Sequence, residues 1–187
     1  MQIAVVFHSG YGHTARQAHA VAEGVEQSGH AKALIVDVAR DIPWDALQAS
    51  AGMIFGCPTY MGGPSAVFKT FMEASSSRWM KQEWADKLAA GFTTSSSQSG
   101  DKLNTLVSLA IFAAQHGMLW VSTGLMPGNN VSTGSVGDIN RLGSWIGAMA
   151  QANFDQGPDI APPASDLQTA RLLGQRVAST ARRFAGP

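Results

Sequence analysis

Residues 3–14 read Ile3-Ala4-Val5-Val6-Phe7-His8-Ser9-Gly10-Tyr11-Gly12-His13-Thr14. Five apolar residues without alternation describe a strand covered on both faces, the pattern of a parallel sheet. The loop that follows carries two glycines, and Ala15, Ala18, Ala22 and Val25 then recur at helical spacing until Gly29 closes the segment. A strand that empties through a glycine-bearing loop into a helix opens a β-α unit. The same alternation predicts further strands over 33–38, 53–57, 88–93 and 118–122, with helical stretches between most of them. Parallel strands joined by crossover helices leave helices on both faces of one open sheet. The last helix is marked by an apolar stripe of Leu167, Ala170, Leu173, Val177, Ala181 and Phe184, with Arg171, Arg176, Arg182 and Arg183 largely off it. The segment 124–147 holds glycines and no sustained period, and a short helix is expected over 139–150.

The 187 residues suit a single domain, 1–187. Thirteen basic residues balance thirteen acidic ones, and only 14% of the chain is charged, which excludes the basic footprint of a nucleic-acid partner. Cys57 stands alone, so no internal disulfide forms, and the Cys/His spacing of a zinc site is absent, so no metal is expected. The start lacks a signal-peptide pattern and no apolar run is long enough for a membrane span, so the expected location is cytoplasmic with no membrane partner. Cys57 reads as an inert core thiol and Trp120 as core.

In a parallel sheet the strand ends share one edge, and ligands bind there. Three loops meet on it. The first, 8–14, offers backbone amides, a helix N-terminus and the hydroxyls of Ser9 and Thr14, a phosphate cradle without a cation. It lacks the Gly-Lys-Ser/Thr of a nucleotide triphosphatase. Its plainer reading is a strand-to-helix turn with a Ser/Thr cap. A rival reading is a dinucleotide site, because Gly10, Gly12 and Ala15 fit G-x-G-x-x-A and Asp37 ends the second strand. The second loop, Pro58-Thr59-Tyr60-Met61-Gly62-Gly63-Pro64, offers a wall and backbone edge for a flat heteroaromatic ring. The third, Thr93-Thr94-Ser95-Ser96-Ser97-Gln98-Ser99-Gly100, stacks hydroxyls that suit ribityl hydroxyls, a phosphate and a pyrimidine edge.

Four stretches of the chain carry a resemblance. Ser9-Gly10-Tyr11-Gly12-His13-Thr14 resembles the phosphate loop of the flavodoxin-like superfamily, and more closely that of WrbA-type NAD(P)H:quinone oxidoreductases. Gly56-Cys57-Pro58-Thr59-Tyr60-Met61-Gly62 resembles the same family's second loop, Lys69-Thr70-Phe71 and Trp79 follow at similar spacing, and Gln115-His116-Gly117-Met118 resembles its His-His-Gly-Met. The resemblance covers residues 2–122 and fades through 124–147; the third loop departs from it in being Ser-rich and one residue longer. It implies a three-layer flavodoxin-like sandwich with a five-stranded parallel sheet in order 2-1-3-4-5. It also implies FMN as cofactor, NAD(P)H as co-substrate, a small-molecule quinone acceptor and a homodimer or homotetramer. By resemblance Ser9, Gly10, Tyr11, Gly12, His13 and Thr14 hold the FMN phosphate. Pro58, Thr59, Tyr60, Met61, Gly62 and Gly63 flank the ring, and Thr94, Ser95, Ser96, Ser97 and Gly100 complete the site. His116 and Trp79 are the expected catalytic residues around the quinone and nicotinamide, with Trp79 reaching a neighbouring subunit. The plainer reading of His116 is a helix C-terminal residue beside Gly117. Two other functions remain open to the sequence: a flavodoxin-type electron carrier, which the zero net charge disfavours because steering needs a field, and a dinucleotide- or protein-binding module without redox turnover.

Overall fold

The computed structural model describes residues 1–185. Strand β1 (Gln2–Phe7) lies at the centre of a parallel sheet between β2 (Lys32–Asp37) and β3 (Gly52–Tyr60), and β3 pairs in turn with β5 (Leu88–Ser95). A two-residue strand, β4 (Gly63–Pro64), folds back antiparallel on the end of β3. Helices α1 (His13–Gln27) and α6 (Ala164–Phe184) cover one face, and α3 (Ala66–Ala74) and α5 (Lys102–Gln115) the other, with two short helices, α2 (Trp44–Ala49) and α4 (Ser76–Met80), beside them.

The period of β1 sorts its side chains between two cores. Ile3, Val5 and Phe7 pack with Val21, Val25, Leu173 and Val177. Ala4 and Val6 face Phe55, Phe68, Phe71, Leu106 and Phe112. This is the α/β sandwich the alternation predicted. Where α1 crosses α6, a Cβ on Gly24 would lie 1.9 Å from the Arg171 carbonyl oxygen, and one on Gly174 2.1 Å from that of Val21, so the two glycines set the helix spacing.

The sheet differs from the expected five strands: with the short strands β6 (Leu119–Trp120) and β7 (Ala148–Gln151) it has seven among the described residues, in order β2-β1-β3-β5-β6, with β4 on β3 and β7 on β5. The expected strand 118–122 shrinks to β6 (Leu119–Trp120), opposite Leu88 and Ala89. The chain then leaves the sheet and returns as β7 (Ala148–Gln151), opposite Phe92 to Ser95. The edge position is therefore one strand cut in two, and the helix expected over 139–150 does not form. Trp120 bridges the cut: its indole donates to the Ile146 carbonyl at 2.8 Å, and its ring lies against bare Gly91, where a Cβ would meet it at 2.8 Å. The excursion is ordered by its own polar groups. Buried Asn140 donates to the carbonyls of Leu125 and Ser144, and Arg141 pairs with Asp166 of α6 at 2.7 and 2.8 Å. Among the described residues no helix is long and apolar enough to cross a membrane.

Candidate functional site

The carboxyl ends of β1, β3, β5 and β7 open into one cavity of about 790 Å³, within the size range of small-molecule sites. Ser9, Tyr11, His13 and Thr14 line it from the first loop, Pro58, Thr59, Tyr60, Met61 and Gly62 from the second, and Thr94, Ser95, Ser96, Ser97 and Gly100 from the third. Gly10, Gly12 and Gly63 shape the walls from behind. Gly10 gives room to Tyr60, whose hydroxyl a Cβ there would meet at 2.6 Å; Gly12 sits at φ 88° against Pro158; Gly63 pairs with Tyr60 in the β3–β4 ladder.

The first loop is not a capped turn. Gly12 is the N-cap residue of α1 and no side chain caps the helix. The Ser9 hydroxyl accepts from the Gly12 amide at 3.1 Å, while the amides of His13, Thr14 and Ala15 find no acceptor in the protein among the described residues. A helix start leaves these donors orphaned, and the dipole adds positive potential at the same place. Such a cradle fits a phosphate. The rival dinucleotide reading fares worse: Asp37 does not line the cavity, and its carboxylate accepts from the Ala39 amide at 3.0 Å.

The second loop is a two-residue hairpin. Tyr60 and Gly63 pair, and Met61 and Gly62 both have positive φ, 49° and 80°, the geometry that matches strand twist at such turns. A methionine is rare in that region, and here its side chain is wholly exposed at the hairpin tip. Asn104 holds the hairpin by donating to the Gly62 carbonyl at 2.6 Å. Tyr11 and Tyr60 meet edge to face at 6.4 Å. Burial raises the Tyr60 phenol pKa, with Tyr11 adding to the shift. Thr59 turns its hydroxyl inward, 2.8 Å from the hydroxyls of both Thr93 and Thr105, so its side chain braces the wall.

A fourth loop, which the sequence did not point to, completes the cavity with Ala152, Phe154, Asp155, Gln156 and Gly157. It is tied to α1 by His13, whose Nε2 lies 2.7 Å from the Gln156 carbonyl, and by Arg16, which donates to the Pro158 carbonyl at 2.7 Å. Phe154 is 90% exposed at the mouth. The signal for this loop is its position after a strand, and the strand is β7, hidden in a segment that reads as helix. No Lys or Arg lines the cavity; Asp101 and Asp155 do.

His116 and Trp79 lie elsewhere. They line a second cavity, of about 600 Å³, with Ser75, Met72 and Phe112. Asp101, in the first cavity, precedes α5 and His116 follows it; 14 helical residues at about 1.5 Å each put His116 roughly 20 Å away along that axis. Its ring stacks on Trp84 at 4.4 Å and meets Phe112 edge-on at 4.8 Å. Burial pushes its pKa down to about 4. The Ser75 hydroxyl donates to the Met72 carbonyl at 2.7 Å, so in the 2.9 Å contact with His116 it accepts, and the imidazole proton sits on Nε2. Nδ1 is buried without a partner. Cys57 is buried, and loss of hydration lifts its pKa to about 12, as expected of an inert thiol.

Comparison with known proteins places this geometry. The family model of the NADPH-dependent FMN reductases matches residues 2–131. The flavodoxin FldP of Pseudomonas aeruginosa is 44% identical over 177 residues, 93% of each chain. An NAD(P)H dehydrogenase (quinone) of Archaeoglobus fulgidus is 30% identical over 207 residues, 98% of each. The crystal structure of a flavodoxin, WrbA-like protein from Agrobacterium tumefaciens matches with a TM-score of 0.75 at 44% identity, covering 97% of this chain and 98% of that one. The cofactor in the family's name fits the residues present: uncapped amides for a phosphate, and a cavity with aromatic and thioether walls for a flat ring. The chain belongs to the NADPH-dependent FMN reductase family, as a flavodoxin-like flavoprotein of the WrbA type.

Proposed function

We propose that this chain binds FMN in the cavity at the sheet edge and passes two electrons from NAD(P)H to a quinone. The observation that carries the reading is the start of α1, where three free amides and Thr14 open into a cavity walled by Tyr11, Tyr60, Met61 and Phe154. FMN supplies hydride acceptance and two-electron transfer, chemistry that no side chain here offers. The chain supplies position. The amides of the first loop hold the phosphate, each charge-assisted bond contributing about 1.5–3 kcal/mol. Tyr60, Met61 and the backbone of Pro58, Gly62 and Gly63 flank the ring, and Thr94 to Ser97 with Gly100 face its polar groups. Met61 and Phe154, exposed at the mouth, cover the outer substrate and exclude water from it. Nicotinamide and quinone take turns in that place.

His116 does not deliver a proton from within its own chain, because its Nε2 proton is donated to Ser75 and the residue sits far from the cavity. Trp79, 44% exposed beside that second cavity, is the one of the two with surface to offer a bound ring of another copy, and a homodimer or homotetramer is proposed as the working form on that ground. A second reading, an electron carrier, is favoured by the name of the Pseudomonas relative. The zero net charge, which gives no field for steering to a partner, favours the enzyme.

Rapid anaerobic mixing separates the two. The FMN-loaded protein is expected to lose its flavin absorbance on adding NADPH alone and to regain it on adding benzoquinone. A protein that stays oxidised with NADPH until a reductase is added is a carrier, and one that takes up no FMN overturns both readings.

A further inference from the structure

Lys102 is the first residue of α5 and is fully buried. A cation at a helix N-terminus stands at the wrong end of the dipole, and burial strips its hydration. The fold compensates by giving each ammonium proton an acceptor: the Ser95 hydroxyl at 2.7 Å and the carbonyls of Ser97 and Gln98 at 2.9 Å each. All three lie in the hydroxyl-rich third loop, of which Ser95, Ser96 and Ser97 line the first cavity. Ser95 also donates to the Ser97 carbonyl at 3.0 Å, and Gln151 of β7 donates to that of Ser96 at 3.3 Å. Lys102 does not line the cavity itself.

We infer that Lys102 is a positioning residue of the flavin site: its ammonium clamps the 95–98 wall and holds a positive charge directly behind it. This rests on the flavin reading given above. The first loop cradles a phosphate with neutral amides, and buried Lys102 acts through the third loop. The charged groups that face Lys102 are Asp166 of α6 and Arg141 of the 124–147 excursion, with Asp101 on its own helix start. Arg141 and Asp166 neutralise each other in a two-bond pair, so neither serves Lys102 as a dedicated counter-ion. Lost hydration accordingly brings its pKa down to about 8.

FMN brings negative charge into the cavity in front of this wall, its phosphate on the first loop and its ring oxygens facing 95–98, which favours the charged ammonium and raises the Lys102 pKa. Above about pH 8 binding therefore takes up a proton and affinity falls as pH rises, by at most about tenfold per unit. FMN binding is measured by quenching of flavin fluorescence at pH 7 and pH 9.5 with wild type, Lys102→Met and Ser95→Ala, each checked for folding by circular dichroism. Wild type is expected to bind more weakly at the higher pH. Lys102→Met is expected to bind about tenfold more weakly at pH 7 and to show no such fall. Ser95→Ala, which removes one acceptor and keeps the charge, is expected to lose several-fold in affinity and to keep the fall. If Lys102→Met does not fold, Lys102→Gln, which keeps a donor and drops the charge, carries the test and is expected to lose the fall with pH. Wild-type affinity and a wild-type pH profile in the folded Lys102 variant overturn the clamp, whereas absence of FMN binding by wild type overturns the flavin reading instead.

Discussion

His116 shows how a residue can match a motif and still be committed to the core. Its pKa of about 4 lies below the 6.5 of an unfolded histidine, so between these values the unfolded chain binds a proton that the folded chain refuses. Its contribution to stability is therefore fully present above pH 6.5 and is lost as pH falls from 6.5 towards 4. His116→Phe keeps an aromatic ring between Trp84 and Phe112 and removes the titration. Urea unfolding at pH 7 and pH 4.5 is expected to cost wild type on the order of 2 kcal/mol more than the variant over that interval. An equal loss in both places the acid sensitivity elsewhere. Met61 makes the opposite case, a residue held in a strained turn on the cavity wall. Its φ of 49° is easier for asparagine. Met61→Asn is expected to raise stability by about 1 kcal/mol while lowering kcat/KM for NADPH, seen as a higher Tm together with slower turnover. The sequence announced Met61 through its loop, but not its turn geometry. Lys102 it did not announce at all: a lysine at a helix start reads as a solvated charge until three acceptors from one loop are seen around it.

Elements with a long period were the most legible. The unbroken apolar run of β1, the alanine spacing of α1 and the stripe of α6 from Leu167 to Ala181 fold as their patterns require, because each buries one continuous surface; Phe184, the last member of the expected stripe, is instead exposed at the helix end. The divided edge strand was not legible for a physical reason. Two residues of β6 and four of β7 are too short to show a period, and β5 selects them by pairing from a distance in sequence. The fourth loop of the site was lost with that strand, whereas the three loops after β1, β3 and β5 could be read because their strands could. The contact between α1 and α6 tests the packing at this scale. Gly174→Ala puts a methyl group 2.1 Å from the Val21 carbonyl oxygen, backbone that cannot turn aside. The helices must part, and a loss of about 1–3 kcal/mol is expected, visible as a lower Tm. A neutral substitution contradicts the close crossing.

Across the whole molecule, the segment through which the sequence resemblance fades, 124–147, is tied to the third-loop wall of the site through α6 and β7. Arg141 carries it onto Asp166, which also accepts from the Gln151 amide at 2.9 Å, and Gln151 reaches the Ser96 carbonyl. Removing one member of a buried pair leaves an uncompensated charge, so Asp166→Ala is expected to cost about 3–5 kcal/mol in urea unfolding. Flavin binding by this chain depends above all on the uncapped helix start as the proposed seat of a phosphate. Parallel titrations of wild type with FMN and with riboflavin, which lacks the phosphate, test this most directly. FMN is expected to bind at one site per chain at least about a hundredfold more tightly than riboflavin, with that preference lost in Gly12→Val, where a side chain meets Pro158 at φ 88°. Equal affinity for the two flavins, or an undiminished preference in the variant, would contradict it.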